Sequence, residues 1–421
     1  MNPLLKNESP AMDTWAIFGL WVASLKTIAH LVYMGAFQVI PEKFLKRRFA
    51  RQIKQGKTIW LDDLQFSHSQ PDAQQKSFPG NEIADLTPGN NFHPRKSRAV
   101  LLDAYPEPKY PFAYRCLPLS GNIINGLGEN QKRPARKVFH SGDYKIAWNG
   151  LERYFHAMAD KVSANVLRKI LWQDRHKSVK ANAKRVPIEN PEIMSRHVKE
   201  AAKQLGADLV GITNLSPEYA FEHFDPIHYP TAISLAVSMD LAGVKYATAE
   251  KSTAAIMDGY QRAAFASIEL AKRIRALGWS ALSASNVGAD TAEVLHVPLA
   301  VQAGLGQLGK HGSLISKEFG SNLRLATVLT NMPLAHDRPI DIGVDDFCTR
   351  CEICMTNCPP QAIFDSKKMV RGIEKWYVNF DRCVPYFVAN NSCGICLAVC
   401  PWTEPGRGKG ISLRMLALRE Q

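Results

Sequence analysis

Eight of the nine cysteines fall in the last 75 of 421 residues, and their spacing leaves that end of the chain few ways to fold. Cys348, Cys351, Cys354 and Cys358 form C-x2-C-x2-C-x3-C, with Pro359 next. Cys393, Cys396 and Cys400 repeat C-x2-C-x3-C ahead of Pro401, and Cys383 supplies the first member from upstream. This is the run that binds [4Fe–4S] clusters in bacterial ferredoxins. Three thiolates two residues apart on a tight turn address one cubane. The fourth, a helical turn further on, points to a neighbour. By that logic Cys348, Cys351 and Cys354 share a cluster with Cys400, and Cys358 joins Cys383, Cys393 and Cys396. A pair of zinc sites would also be sulfur-rich. The proline after each fourth cysteine and the x2-x2-x3 rhythm favour iron–sulfur. A disulfide framework is not expected in a long chain without a secretion signal. Cys116 stands alone and reads as a small apolar residue.

Two adjacent clusters make a wire, and a wire implies a redox centre upstream. Residues 186–345 read as an α/β domain. In PEIMSRHVKEAAKQLGAD, Ile193, Val198, Ala201, Ala202 and Leu205 recur at helical spacing, and Gly206 ends the helix. LVGIT (209–213), AISLAVSM (232–239), ALSAS (281–285) and LRLATVLT (323–330) are β-rich runs. STAAIMDGYQRAAFASIELAKRIRALGW is a long helix closing near Gly278. The alternation suggests helices layered around a sheet. No P-loop or flavin motif occurs.

GLGQLGKHG, residues 304–312, carries Gly304, Gly306 and Gly309 at G-x-G-x-x-G spacing. A dinucleotide-binding turn also needs a strand before it, a helix after it and an acid about 20 residues on. VPLAVQA before it fits strand or helix. Gly312 and Gly320 break any long helix after it, Glu318 is too close and Asp337 too far. The glycines therefore hold something other than NAD.

The order of GADLVGI, a strand ending VSMD, a helix carrying Gly259-Tyr260, AGLGQLGKHGSLISKEFGSNLRLATVLTNMPL and the two-cluster tail resembles the reductive dehalogenases. These are cobalamin and iron–sulfur enzymes whose catalytic core is shared with epoxyqueuosine reductase, a tRNA-modifying enzyme. The resemblance covers most of 186–405, and 90–180 more loosely. It implies a cobalamin-binding, nitroreductase-like α/β (α+β) core with a C-terminal two-cluster ferredoxin-like domain. It implies base-off cobalamin, with Met239, Gly304, Leu305, Gly306, Leu308, Gly309, His311, Gly312 and Ser313 around it. No D-x-H-x-x-G motif marks a lower cobalt ligand.

It also implies a tyrosine proton donor with a cationic partner. A free phenol, with pKa about 10, is a poor acid unless positive charge stabilises the phenolate. Tyr260 takes the donor position, Lys310 is the candidate cation with Arg324 as the alternative, and Asn286 orients substrate or Tyr260. The tRNA-modifying relatives place an aspartate in a D-Y-H trio, where this chain has Gly259, Tyr260 and Gln261. The implied partners are an organohalide and an external electron donor: a ferredoxin, a flavodoxin or a flavin reductase. A non-catalytic electron-transfer subunit would explain the cysteines and leave 186–345 without a task.

The net charge is +13, which favours acidic partners or an anionic membrane face. Nucleic acid is not the expected partner. Residues 14–40 are apolar, proline-free and long enough to span a bilayer as a helix, and seven Lys or Arg follow between Lys43 and Lys57. That reads as a membrane anchor with its basic flank on the cytoplasmic side, or as a buried helix and a solvated loop. Arg47-Arg48 follows the apolar stretch instead of preceding it, so no twin-arginine export is expected. The expected location is the cytoplasm or the cytoplasmic face of the inner membrane. Four regions result: 1–60, the anchor segment; 61–185, contributing to the pocket; 186–345, the cobalamin domain; and 346–421, the ferredoxin-like domain.

Overall fold

The computed structural model describes residues 59–60, 116–117, 120–139, 180–285, 293–390 and 392–421. The candidate anchor 14–40, its basic flank and Asn286 lie outside the described residues. Among those described, no helix is long and apolar enough to cross a membrane.

Four strands form the central sheet: β1 (Leu209–Asn214), β2 (Thr231–Ser238), β3 (Ala281–Ala284) and β4 (Leu323–Thr330). Their order is β1-β2-β4-β3 and every pairing is antiparallel. The domain is therefore α+β, as the resemblance implies. Helix–strand alternation alone would equally suit a parallel sheet.

Helix α1 (Pro191–Gln204) starts at Asn190, whose side chain accepts from the Ile193 N–H at 2.9 Å, with Pro191 in the first turn. The cap satisfies one orphan donor, and proline costs nothing there. Helix α2 (Glu250–Ala276) is long and alanine-rich. Met194, Val198, Ala201 and Ala202 of α1 and Ala266, Leu270 and Ile274 of α2 pack on Ile212, Ile233, Leu235 and Val328 of the sheet. The opposite face takes α3 (His296–Gln302), where Leu299 and Ala300 meet Ala232, Ala236 and Leu329. Strand β2 is buried on both faces, which is why it reads as an unbroken apolar run and not as an alternating one.

This parity decides what each residue of β4 sees. Ala326 and Val328 point to α2, and Leu323, Leu325 and Leu329 to the α3 side. Arg324, in phase with Ala326, falls on the α2 side.

A tight hairpin follows α3. Gln307–Leu308 pairs antiparallel with Leu314–Ile315. Within it the Gly309 N–H donates to the Ser313 carbonyl at 2.9 Å, and the Gly312 N–H to that of Gly309 at 2.9 Å. A helix precedes the glycines and a hairpin contains them, so the dinucleotide geometry is absent.

Helix α4 (Val344–Arg350) runs across the expected boundary between 345 and 346. The Gln307 side chain accepts from the N–H groups of Ile342 (2.8 Å) and Val344 (3.1 Å), tying hairpin to helix. Ile315 shares one core with Cys348, Cys351, Phe347 and Trp402, so the α+β and ferredoxin-like parts are packed as one unit there.

The described part of 61–185 divides. Residues 120–133 bind the ferredoxin-like part: the Gly121 N–H donates to Asp381 at 2.5 Å, and the Asn122 side chain accepts from the Phe380 N–H at 2.8 Å. Asn182 and Val186 instead bond the end of α2, through the Arg275 and Leu277 carbonyls.

Candidate functional site

The eight cysteines lie in the ferredoxin-like part, near enough to act on one another. Cys348 is influenced electrostatically by Cys400, Cys351 and Cys354. Cys396 is influenced by Cys393, Cys358 and Cys383, and also by Cys354, so the quartets adjoin. Burial pushes all eight thiols up, those of Cys393 and Cys400 to about 12. Neighbouring thiolates push most of them further. A nest of this kind holds thiolates only around compensating positive charge. Backbone N–H groups aim at the sulfurs as well: Ala362 at Cys358 (3.3 Å) and Lys310 at Cys348 (3.5 Å). Among the described residues, no three His, Cys, Asp or Glu stand close enough to ligate a single ion. A four-iron cubane takes its thiolates further apart than one ion does, and eight free cysteines with backbone N–H groups aimed at two of them suit it as a donor set.

Tyr260 is half-buried on α2, in the stripe that continues through Ala263, Ser267 and Leu270 toward the sheet. It packs with Met239, which follows β2 and is joined to Asn322 by bonds of 3.1 and 2.8 Å. The Arg324 guanidinium lies over the Tyr260 ring, 4.7 Å from its centroid. Gly259 permits this closeness. A Cβ there would stand 2.9 Å from both Arg324 Cγ and Met239 Cγ.

Lys310 is elsewhere. It is 2% exposed, and its ammonium donates to the Cys351 carbonyl at 2.9 Å. As the cation beside Tyr260, the structure offers Arg324, and Lys310 belongs to the cysteines. The physical reason is the hairpin. The turn at Gly309 directs residue 310 back toward α4, whereas strand parity carries residue 324 to α2.

The glycine string also does more for the chain than the motif suggests. A Cβ at Gly306 would sit 2.1 Å from the Ile315 carbonyl oxygen, and one at Gly304, where φ is +74°, 2.6 Å from that of Arg338. Those bare faces are occupied by the protein's own backbone. Gly306→Ala is therefore expected to cost about 1–3 kcal/mol of stability by overpacking, read as a lowered midpoint in chemical unfolding. Leu305 and Leu308 face the core. Gly312 and Ser313 are half-buried at the turn.

His311 is buried, its Nδ1 accepting from the Ser313 N–H at 3.2 Å. Burial lowers its pKa to about 4, so the ring is neutral near pH 7. Its Nε2 has no partner, and neither do Asn322 Oδ1, Arg324 Nε or His296 Nε2. Asn322 and Arg324 leave buried polar atoms open beside Met239 and Tyr260, and His311 leaves one in the glycine hairpin; such groups fit a large polar cofactor. His296 went unmarked by the sequence, where one histidine in an apolar run carries no signal. Strand period could have singled out Arg324 over Lys310.

Comparison with known proteins bears on both halves. Residues 347–403 match the family described as the 4Fe-4S dicluster domain. The chain is 29% identical over 262 residues to the tetrachloroethene reductive dehalogenase of Sulfurospirillum multivorans, covering 51% of each chain. It is 33% identical over 132 residues to the epoxyqueuosine reductase of Aliivibrio fischeri, covering 27% of this chain and 32% of that one. Its fold is similar to that of the catabolic reductive dehalogenase NpRdhA in complex with 3-bromo-4-hydroxybenzoic acid. The TM-score is 0.61 at 24% identity, over 72% of this chain and 46% of that one. The chain spans about half the length of the reductive dehalogenases it matches. The resemblance read from the residues is thus met by relatives of that name and by their fold.

Proposed function

We propose that the chain is a reductive dehalogenase that exchanges a halogen of an organohalide for hydrogen. Overall, the carbon–halogen bond takes up two electrons and one proton and yields a carbon–hydrogen bond and a halide ion. A base-off corrinoid, when bound, supplies the low-valent cobalt at which that bond is broken. Met239 and the hairpin Gly304–Ser313 would hold it. The orphaned atoms of His311, Asn322 and Arg324 are the groups that would answer its polar rim.

Tyr260 holds the proton at its hydroxyl and gives it to the carbon. Arg324 keeps its charge against the ring, where negative charge develops as the proton leaves. Asn286, in its sequence position after β3, is the candidate for orienting substrate. The two quartets hold the clusters that pass electrons singly from an external donor, a ferredoxin, flavodoxin or flavin reductase. The observation that carries the reading is the Arg324–Tyr260 pair in the same chain as two runs of cluster-spaced cysteines. Reduction of epoxyqueuosine would need an acid where this chain has Gly259, and no carboxylate stands there.

The test is anaerobic preparation of the full chain with cobalamin, iron and sulfide. The expected result is a corrinoid spectrum and halide release from a panel of halogenated phenols and chlorinated ethenes, dependent on both corrinoid and reductant. Protein with full iron that takes up no corrinoid would overturn the proposal.

A further inference from the structure

We infer that Lys310 sets the reduction potential of the cluster held by Cys348, Cys351, Cys354 and Cys400, by fixing a buried positive charge against it. The inference rests on the iron–sulfur part of the proposed function and not on the corrinoid.

Lys310 reaches this quartet twice. Its backbone N–H points at Cys348 Sγ (3.5 Å), and its ammonium bonds the carbonyl of Cys351 (2.9 Å). The ammonium also lies 4.9 Å from the centroid of the Trp376 ring. That ring is fixed in turn by its indole N–H, which donates to Asp345 at 2.9 Å. Asp345 is paired with Lys367 at 2.7 Å. The side chain therefore sits in one geometry, sealed from water. A carbonyl and an aromatic face stabilise an ammonium without cancelling its charge. Taking such a charge out of water is costly unless negative charge nearby offsets it. The quartet's sulfurs are the negative groups the residue itself reaches toward, since Asp345, held by the ring's indole N–H, is already paired with Lys367.

The consequence is electronic. Four thiolates around a [4Fe–4S] core carry net charge of about −2 oxidised and −3 reduced, since one electron enters from the external donor and no proton follows. A fixed cation favours the more negative state, so it raises the potential. Its place on the hairpin gives this a use. The loop expected to hold the corrinoid also tunes the cluster beside it, so electron supply and cofactor seat are built by one turn.

The experiment is an anaerobic dithionite titration of the iron-loaded full chain, followed by low-temperature electron paramagnetic resonance. Wild type is compared with Lys310→Gln, Lys310→Met and Lys310→Arg, with iron content measured for each. Both uncharged variants are expected to shift one cluster's reduction equilibrium about tenfold toward the oxidised form, or about 59 mV more negative for a one-electron couple. The other cluster should move far less, and Lys310→Arg should stay near wild type. Lys310→Gln with both clusters and an unchanged potential overturns the inference. So does a shift in Lys310→Met alone, which would assign the effect to the Cys351 hydrogen bond. Loss of the cluster from both uncharged variants overturns it as well, since the residue would then serve assembly. A chain that binds no corrinoid leaves this experiment intact, so the two proposals fail separately.

Discussion

Cys400→Ala is expected to remove one [4Fe–4S] cluster and spare the other, taking iron from about eight to about four per chain. The choice of which cluster is the informative part. Cys400 lies next to Cys396 in sequence yet belongs with Cys348, 46 residues or more away from its partners' run. It is 5% exposed and shares a core with Cys348, Cys351 and Trp402. Its thiol is pushed up to about 12 by burial first, with Cys351 adding to the effect. Alanine removes a ligand without adding a competitor, so the incomplete quartet has three thiolates and an open iron. Cys396→Ala serves as the converse, because Cys396 couples to Cys393, Cys358 and Cys383. Paramagnetic resonance of the reduced proteins should show the two variants losing different signals. If they lose the same signal, the crossed assignment is wrong. Because electrons must pass both centres, either variant should also slow reductant-dependent halide release by orders of magnitude.

The two cysteine runs were legible because their chemistry is local to a turn, while the crossing of each fourth cysteine to the other set rests on the ferredoxin pattern and is what Cys400→Ala tests. Ligand spacing on a turn fixes that three cysteines of one run can address one cluster. The strands were legible for a similar reason: LRLATVLT is β-rich over its full length, and β4 occupies those residues. Strand order was not. The partners of β4 are 85 to 99 residues away at β2 and about half that at β3, and nothing local encodes such pairing. The role of Lys310 was hidden for another reason. A glycine-rich stretch reads as one loop with one purpose, but a hairpin has two sides, and residue 310 is on the side of Cys348 and Cys351. Arg324 was available from period two, since Ala326 and Val328 already required α2 on that face.

Tyr260→Phe is expected to leave iron and corrinoid content unchanged and to lower halide release by about 10²–10⁴-fold, the usual contribution of a positioned acid. Phenylalanine keeps the ring that packs on Met239, Val244, Ala255 and Ile256, and it keeps a face for Arg324. Only the hydroxyl proton is lost, so a large kinetic effect without a change in unfolding midpoint isolates proton donation. Arg324→Met then asks whether the guanidinium works through that hydroxyl. It keeps an unbranched stem on β4 and removes the charge. Alone, it should cost turnover by the same mechanism, since phenolate would form without its cation. Combined with Tyr260→Phe it should cost little more, because there is no longer a proton to release. Residues that act as a unit are non-additive in this way. If the two losses multiply, Arg324 acts on substrate or cofactor independently of Tyr260. If Tyr260→Phe turns over at the wild-type rate, the proton comes from elsewhere, and the pair on α2 and β4 is packing alone.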